Sequence, residues 1–237
     1  MFMWILKPLL RWGLGKEAVV GEVKKEGKPS HWSVALLLLS ISLSVVAALY
    51  PYSPAINPRG LNVGVDIQAY VRAGKIVEGN PFQAFNVSGG SRPLIFLAIY
   101  GFQGLLGSDV STAVRFLPVI LNPLMVAAAF FLAFEAFGDW RLSSWVAFFT
   151  ACGYQVTVGM YSYFLTNMLA LSLAFLSLGF LFRSLRRGCN VSLASASVLG
   201  VLLVFTYPWT FDQYAAATFL TTIISFYQVV ARRPPYL

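Results

Sequence analysis

One carboxylate, Asp66, stands among Arg59, Arg72, Lys75 and Arg92 in a chain that is otherwise poor in charge. A carboxylate can take the proton of a hydroxyl as that oxygen attacks an electrophile. Arginine offers phosphate or diphosphate a planar, bidentate fork, and lysine offers a point charge. An acid of this kind beside such cations is suited to moving a group from a phosphate-bearing donor to a hydroxyl acceptor. Arg59 and Arg92 are the favoured phosphate ligands; Arg72 is less favoured because it projects from the far face of its helix. Tyr70 lies one turn beyond Asp66 and could line the same cleft. Asp212 is a second candidate acid. Each has a plainer reading as well: Asp66 and Asp212 as helix N-caps, the cations as contacts to lipid headgroups, Tyr70 as an interface anchor.

The element that must position Asp66 can be read from spacing. Ile67, Tyr70, Val71, Gly74 and Val77 recur at helical period, so an amphipathic helix begins at Asp66 and stops at Gly79. Before it, Pro51, Pro54 and Pro58 forbid a regular helix and are expected to hold the backbone extended.

The rest of the chain sets the medium. Of 237 residues 58% are hydrophobic and 11% charged, with a mean hydropathy of +0.71, which excludes a soluble globular enzyme. The length leaves room for about six transmembrane helices and one large loop. Lys and Arg number 17 against 9 acidic residues, a net charge of +8, and most cluster beside apolar runs, as topology determinants do. The basic balance is therefore not read as a nucleic-acid surface. Cys152 and Cys189 fit neither a disulfide framework nor a metal knuckle. No glycine-rich phosphate loop or dinucleotide fingerprint occurs.

Residues 1–31 read as a cytoplasmic segment: an amphipathic surface helix over Met1 to Leu14, then a linker over Lys16 to Lys28. Residues 32–237 read as an all-α, polytopic transmembrane domain with an outer loop at 51–112 that carries amphipathic surface helices. The expected spans are 32–50, 114–137, 141–158, 163–182, 192–208 and 212–230. The run from Leu142 to Phe182 is too long for one crossing and must fold back within Gly159 to Asn167, and the last region must break at Tyr207 to Asp212. The short segment 93–108 is placed as an interfacial helix by charge counting. With it on the surface, twelve of the 17 positive residues, among them Arg141, Arg183, Arg186 and Arg187, share the cytoplasmic side with both termini. Glu135 and Asp139 are expected to pair with Arg141. Small residues at four-residue spacing, Ser40, Ser44 and Ala48 in one helix and Ser192, Ala196 and Gly200 in another, are expected to let helices approach closely.

This layout resembles the GT-C superfamily of membrane glycosyltransferases, whose relatives include protein mannosyltransferases and lipid A aminoarabinose transferases. There the first span is followed by a large outer loop with an acidic residue near the membrane. Val65-Asp66-Ile67-Gln68-Ala69-Tyr70 holds that position here. Ser91-Arg92-Pro93-Leu94-Ile95-Phe96-Leu97 is similar to the proline-led surface helix of that superfamily. Val114-Arg115-Phe116-Leu117-Pro118 is similar to the opening of its next span, and Thr206-Tyr207-Pro208-Trp209-Thr210 to a span end near its donor site. Where several relatives carry a second acid in a short outer turn, this chain has Asn167 or Thr166. A double-acid pattern in the first loop and a metal-binding DxD are missing.

The resemblance implies a sugar moved from a polyprenyl-phosphate carrier to an acceptor hydroxyl on the extracytoplasmic side. Asp66 would be the base, and Arg59, Arg92, Arg72, Tyr70, Asn167 and Asp212 would contact substrate. It implies no cofactor beyond the lipid-linked donor, with divalent metal left open, and membrane lipids as surroundings. Two other classes stay open: a transporter or flippase of lipid-linked saccharides, and a non-catalytic or partial subunit completed by a second chain.

Overall fold

The computed structural model describes residues 29–162 and 164–231, with side chains described throughout except for Met160 and 224–231. The amphipathic segment and linker expected over residues 1–28, and Arg232 and Arg233, lie outside the described residues. Those described form helices and turns, with no strand among them.

The elements are α1 (His31–Leu49), α2 (Ile67–Gly79), α3 (Pro93–Leu106), α4 (Val110–Phe116), α5 (Pro118–Phe137), α6 (Trp140–Ala151), α7 (Tyr154–Ser162), α8 (Leu165–Arg187), α9 (Asn190–Val204) and α10 (Pro208–Ala231). Three stretches are long and apolar enough to cross a membrane: His31–Tyr52, Val110–Phe137 and Leu165–Arg187, of 22, 28 and 23 residues.

The helix ends follow local chemistry. Ser30 caps α1, accepting the backbone N–H of Ser33 at 3.2 Å. Proline opens α3, α5 and α10, where the missing N–H costs nothing. Gly107, Gly138 and Gly188 end α3, α5 and α8 in the left-handed conformation that glycine adopts without penalty.

The close-packing stripes are buried as their spacing requires: Ser40, Ser44 and Ala48 on α1, and Ser192, Ala196 and Gly200 on α9. The hydroxyls of Ser40 and Ser44 donate back to the carbonyls of Leu36 and Ile41, both at 2.7 Å, so no donor is stranded in the apolar interior. Gly179 of α8 meets α5 so closely that a Cβ there would lie 2.6 Å from the Phe131 ring.

Side-chain and backbone bonds sort the helix ends into two layers. In one layer the N–H of Val65 donates to the carbonyl of Tyr161 at 3.2 Å, and that of Leu94 to Phe205 at 3.1 Å. This layer holds the 51–112 loop against the α7–α8 and α9–α10 turns. In the other layer the Ser144 hydroxyl reaches the Ser33 carbonyl at 2.8 Å, and Glu135 faces Arg183 and Arg187, each at 3.9 Å.

Four expectations are corrected. The segment after Tyr50 is not extended: Tyr50–Tyr52 is a 3-10 turn, and Ser53 accepts from Ile56 and Asn57, so the prolines shape successive turns. One helix ends at Ser162 and the next starts at Leu165, within the expected fold-back, but the helix before it breaks again at Cys152–Gly153, where glycine weakens helical continuity. The last break falls at Phe205–Tyr207, earlier than expected, because Pro208 starts α10 instead of ending a helix. Glu135 pairs with Arg183 and Arg187 rather than Arg141, since α5 and α8 lie side by side, while the Asp139 carboxylate caps α6 through the N–H groups of Arg141 and Leu142.

Candidate functional site

The site is built on two helices that run parallel. Along α2 and α3 three contacts keep one register: the Tyr70 and Phe96 rings, 6.1 Å apart; Gly74, where a Cβ would come 3.6 Å from Ile99; and the Gln103 amide on the Glu78 carboxylate, 2.5 Å. An offset of about 25 residues throughout is possible only if both chains advance in the same direction. Asp66 and Arg92, the N-cap residues of α2 and α3, therefore lie at the same end of the pair.

That end rests on the bundle. The Tyr70 hydroxyl is 2.8 Å from the Thr166 hydroxyl at the start of α8, and both side chains are buried. The Val65 N–H on Tyr161 fixes the backbone just before Asp66. On the α3 side, the Arg92 guanidinium lies 5.0 Å over the Tyr207 ring in the α9–α10 turn, a cation–π contact. Asp66, Arg92 and the two bundle turns thus lie at one end of the α2–α3 pair.

The position of Asp66 separates the two readings of that residue. Three aspartates occupy N-cap positions. Asp109 accepts from Ser111 and Thr112, and Asp139 accepts from Arg141 and Leu142. Asp66 has φ −92° and ψ 0° and makes no capping hydrogen bond with its side chain. Its carboxylate is exposed.

The other expected residues divide. Asn167 is half-buried in the first turn of α8, next to Thr166. Arg72 lies on the exposed face of α2, opposite buried Tyr70, Ala73, Gly74 and Val77. Arg59 is exposed in the turn before Gly60. Asp212 is not a helix cap: it is the fifth residue of α10, exposed, and takes no part in the contacts that join Asp66, Tyr70 and Arg92 to the bundle.

Two positioning groups were not singled out by spacing. Arg115 donates to the carbonyl of Gly60 at 2.8 Å and to Asn62 Oδ1 at 2.9 Å, and lies 5.2 Å over the Tyr52 ring, bracing the turn that carries Arg59. Thr166 takes the Tyr70 hydroxyl. Neither carries a local signal, since their partners lie 55 and 96 residues away. Among the described residues no group of three or more His, Cys, Asp and Glu is placed to hold a metal ion.

Taken together, fold and site define an all-helical protein with three membrane-length apolar helices and a parallel loop-helix pair whose one end carries an uncommitted carboxylate and an aromatic-braced arginine. Comparison with protein-family models, with curated proteins and with solved structures finds no match for this chain.

Proposed function

We propose that this chain is a multi-pass membrane glycosyltransferase that moves a sugar from a polyprenyl-phosphate carrier to an acceptor hydroxyl on the extracytoplasmic side. The observation that carries this reading is the parallel pairing of α2 and α3, which puts an uncapped, exposed carboxylate and an aromatic-braced guanidinium at one end of the pair, beside the helix turns of the bundle. The donor's isoprenoid tail stays in hydrocarbon and its sugar-phosphate enters laterally, so no soluble nucleotide pocket is needed. Asp66 accepts the proton of the acceptor hydroxyl as that oxygen attacks the anomeric carbon with inversion. The bond from the anomeric carbon to the phosphate oxygen breaks, and Arg92, with Arg59 nearby in the same loop, takes up the charge left on the phosphate.

Six crossings fit this reading: α1, α5, α6 with α7, α8, α9 and α10, with α2 and α3 at the surface. The grouping of ends supports it, because the loop layer joins 65 to 161 and 94 to 205, while the opposite layer collects Arg183, Arg186 and Arg187. Retention of basic residues on the cytoplasmic side supports a reading with both termini there. The test is transfer by the purified chain in liposomes supplied with radiolabelled polyprenyl-phosphate sugars and candidate acceptors. Label appearing on an acceptor supports the enzyme. Saturable donor binding without any transfer would overturn it in favour of a non-catalytic subunit or a transporter.

A further inference from the structure

A second feature lies at the opposite end of the bundle. A cavity of about 400 Å³ opens between the first turns of α1 and α6, lined by Ser30, Trp32, Leu36, Arg141, Ser144 and Trp145. The two helices start together, joined by the Ser144 hydroxyl on the Ser33 carbonyl, so both N-termini face this opening. We propose that the cavity holds the headgroup phosphate of an anionic phospholipid, with one acyl chain lying along Trp145 and Phe149.

The polar groups around the cavity are already engaged, with one exception. The Ser30 and Ser33 hydroxyls bond each other at 2.8 Å. Ser144 donates to the carbonyls of Ser33 and Trp140, both at 2.8 Å. The Asp139 carboxylate accepts the backbone N–H of Arg141 at 2.7 Å and that of Leu142 at 3.2 Å. The Arg141 guanidinium has no side-chain partner among the described residues, and it brings five N–H donors to the opening. What remains open to a ligand is thus an arginine fork, and this matches a phosphodiester, which only accepts. Asp139 accepts the two helix N–H groups through Oδ1, and among the described residues Arg141 is the one charged side chain that lines the cavity, which suits an anionic lipid.

The walls suit the remainder of such a molecule. Trp32, Trp145 and Phe149 are 67%, 42% and 66% exposed, and the Trp145 and Phe149 rings stack at 5.9 Å one turn apart, leading from Arg141 along α6. Tryptophan is enriched at membrane interfaces. The inference rests on the chain lying in a bilayer and does not depend on sugar transfer.

The experiment places the full chain in phosphatidylcholine bilayers and reads quenching of tryptophan fluorescence by lipid brominated on the acyl chain. Brominated phosphatidylglycerol is expected to quench at lower mole fraction than brominated phosphatidylcholine. Arg141→Gln, a change at an exposed side chain, is expected to weaken that preference about fivefold, the worth of one cation at the membrane surface. Trp145→Phe is expected to remove most of the preferential quenching, and Lys75→Gln, a charge-matched control at an exposed position of α2, to leave it intact. Equal quenching by the two lipids would overturn the proposal. So would a preference untouched by Arg141→Gln, untouched by Trp145→Phe, or reduced as much by Lys75→Gln.

Discussion

The hydroxyl of Tyr70 lies 2.8 Å from that of Thr166, 96 residues further along the chain, and this bond ties the loop helix that carries Asp66 to the first turn of α8. The Thr166 N–H also points at the Tyr70 oxygen, at 3.4 Å. A buried pair of this kind is expected to contribute about 1 kcal/mol, and removal of one partner strands the other. Tyr70→Phe and Thr166→Val are each predicted to destabilise the purified protein by about 1 to 2 kcal/mol, with the double variant costing clearly less than the sum. Thermal unfolding of the four proteins gives the cycle. Additive losses would mean that the two hydroxyls do not act as a pair.

The closest helix contact makes a second prediction. A Cβ on Gly179 would come 2.6 Å from Phe131 Cδ1, and that ring is held in turn by Phe180 at 4.9 Å. Gly179→Ala is therefore expected to cost about 1 to 3 kcal/mol through overpacking, despite the better helix propensity of alanine. Combining it with Phe131→Leu should recover part of the loss. A stabilised Gly179→Ala protein would show that α5 and α8 are not packed this tightly.

Asp109 supplies a pH test. The Thr112 hydroxyl, helped by the backbone N–H groups of Thr112 and Ser111, holds its carboxyl below the ordinary carboxylate value. A folded-state pKa lowered in this way contributes stability that is complete above the unfolded value and lost as pH falls through the folded one. The window therefore lies below about pH 4. Asp109→Asn keeps a capping oxygen but cannot titrate, so the stability difference between wild type and variant should shrink as pH falls through that window. A difference that stays constant from pH 6 to pH 3 would remove the carboxylate cap.

The native cysteines allow the sidedness to be measured. Cys189 opens α9, where the N–H of Ser192 and neighbouring groups lower its thiol pKa and so raise its thiolate fraction. With Cys152→Ser, a membrane-impermeant maleimide is predicted to label Cys189 in inverted vesicles and not in intact cells. Labelling from outside the cell would reverse the orientation.

How far the sequence alone reached can be seen from individual residues. The bounds of α2 were legible because Ile67, Tyr70, Val71, Gly74 and Val77 repeat at helical period and Gly79 ends them. The packing stripes on α1 and α9 were legible for the same reason. The start of α10 was misplaced because proline both ends and opens helices, and only its register against Phe205 and Leu94 tells which. The partner of Glu135 was missed because an acid and the arginines of the next long helix meet only after α5 and α8 are set side by side. Asp66 and Arg92 were legible as chemical types in one loop. Their placement at one end was not, because it depends on the parallel pairing of two helices that share no local signal.

Asp66 makes no capping bond and is exposed, so Asp66→Asn should leave the fold unchanged while removing the proton acceptor. The decisive measurement is the rate of sugar transfer from a polyprenyl-phosphate donor by wild type and by Asp66→Asn in the same liposomes, with donor affinity and thermal stability measured alongside. A loss of at least about a hundredfold in kcat, with donor affinity and stability kept, is the predicted result. Equal turnover by the two proteins would contradict the account.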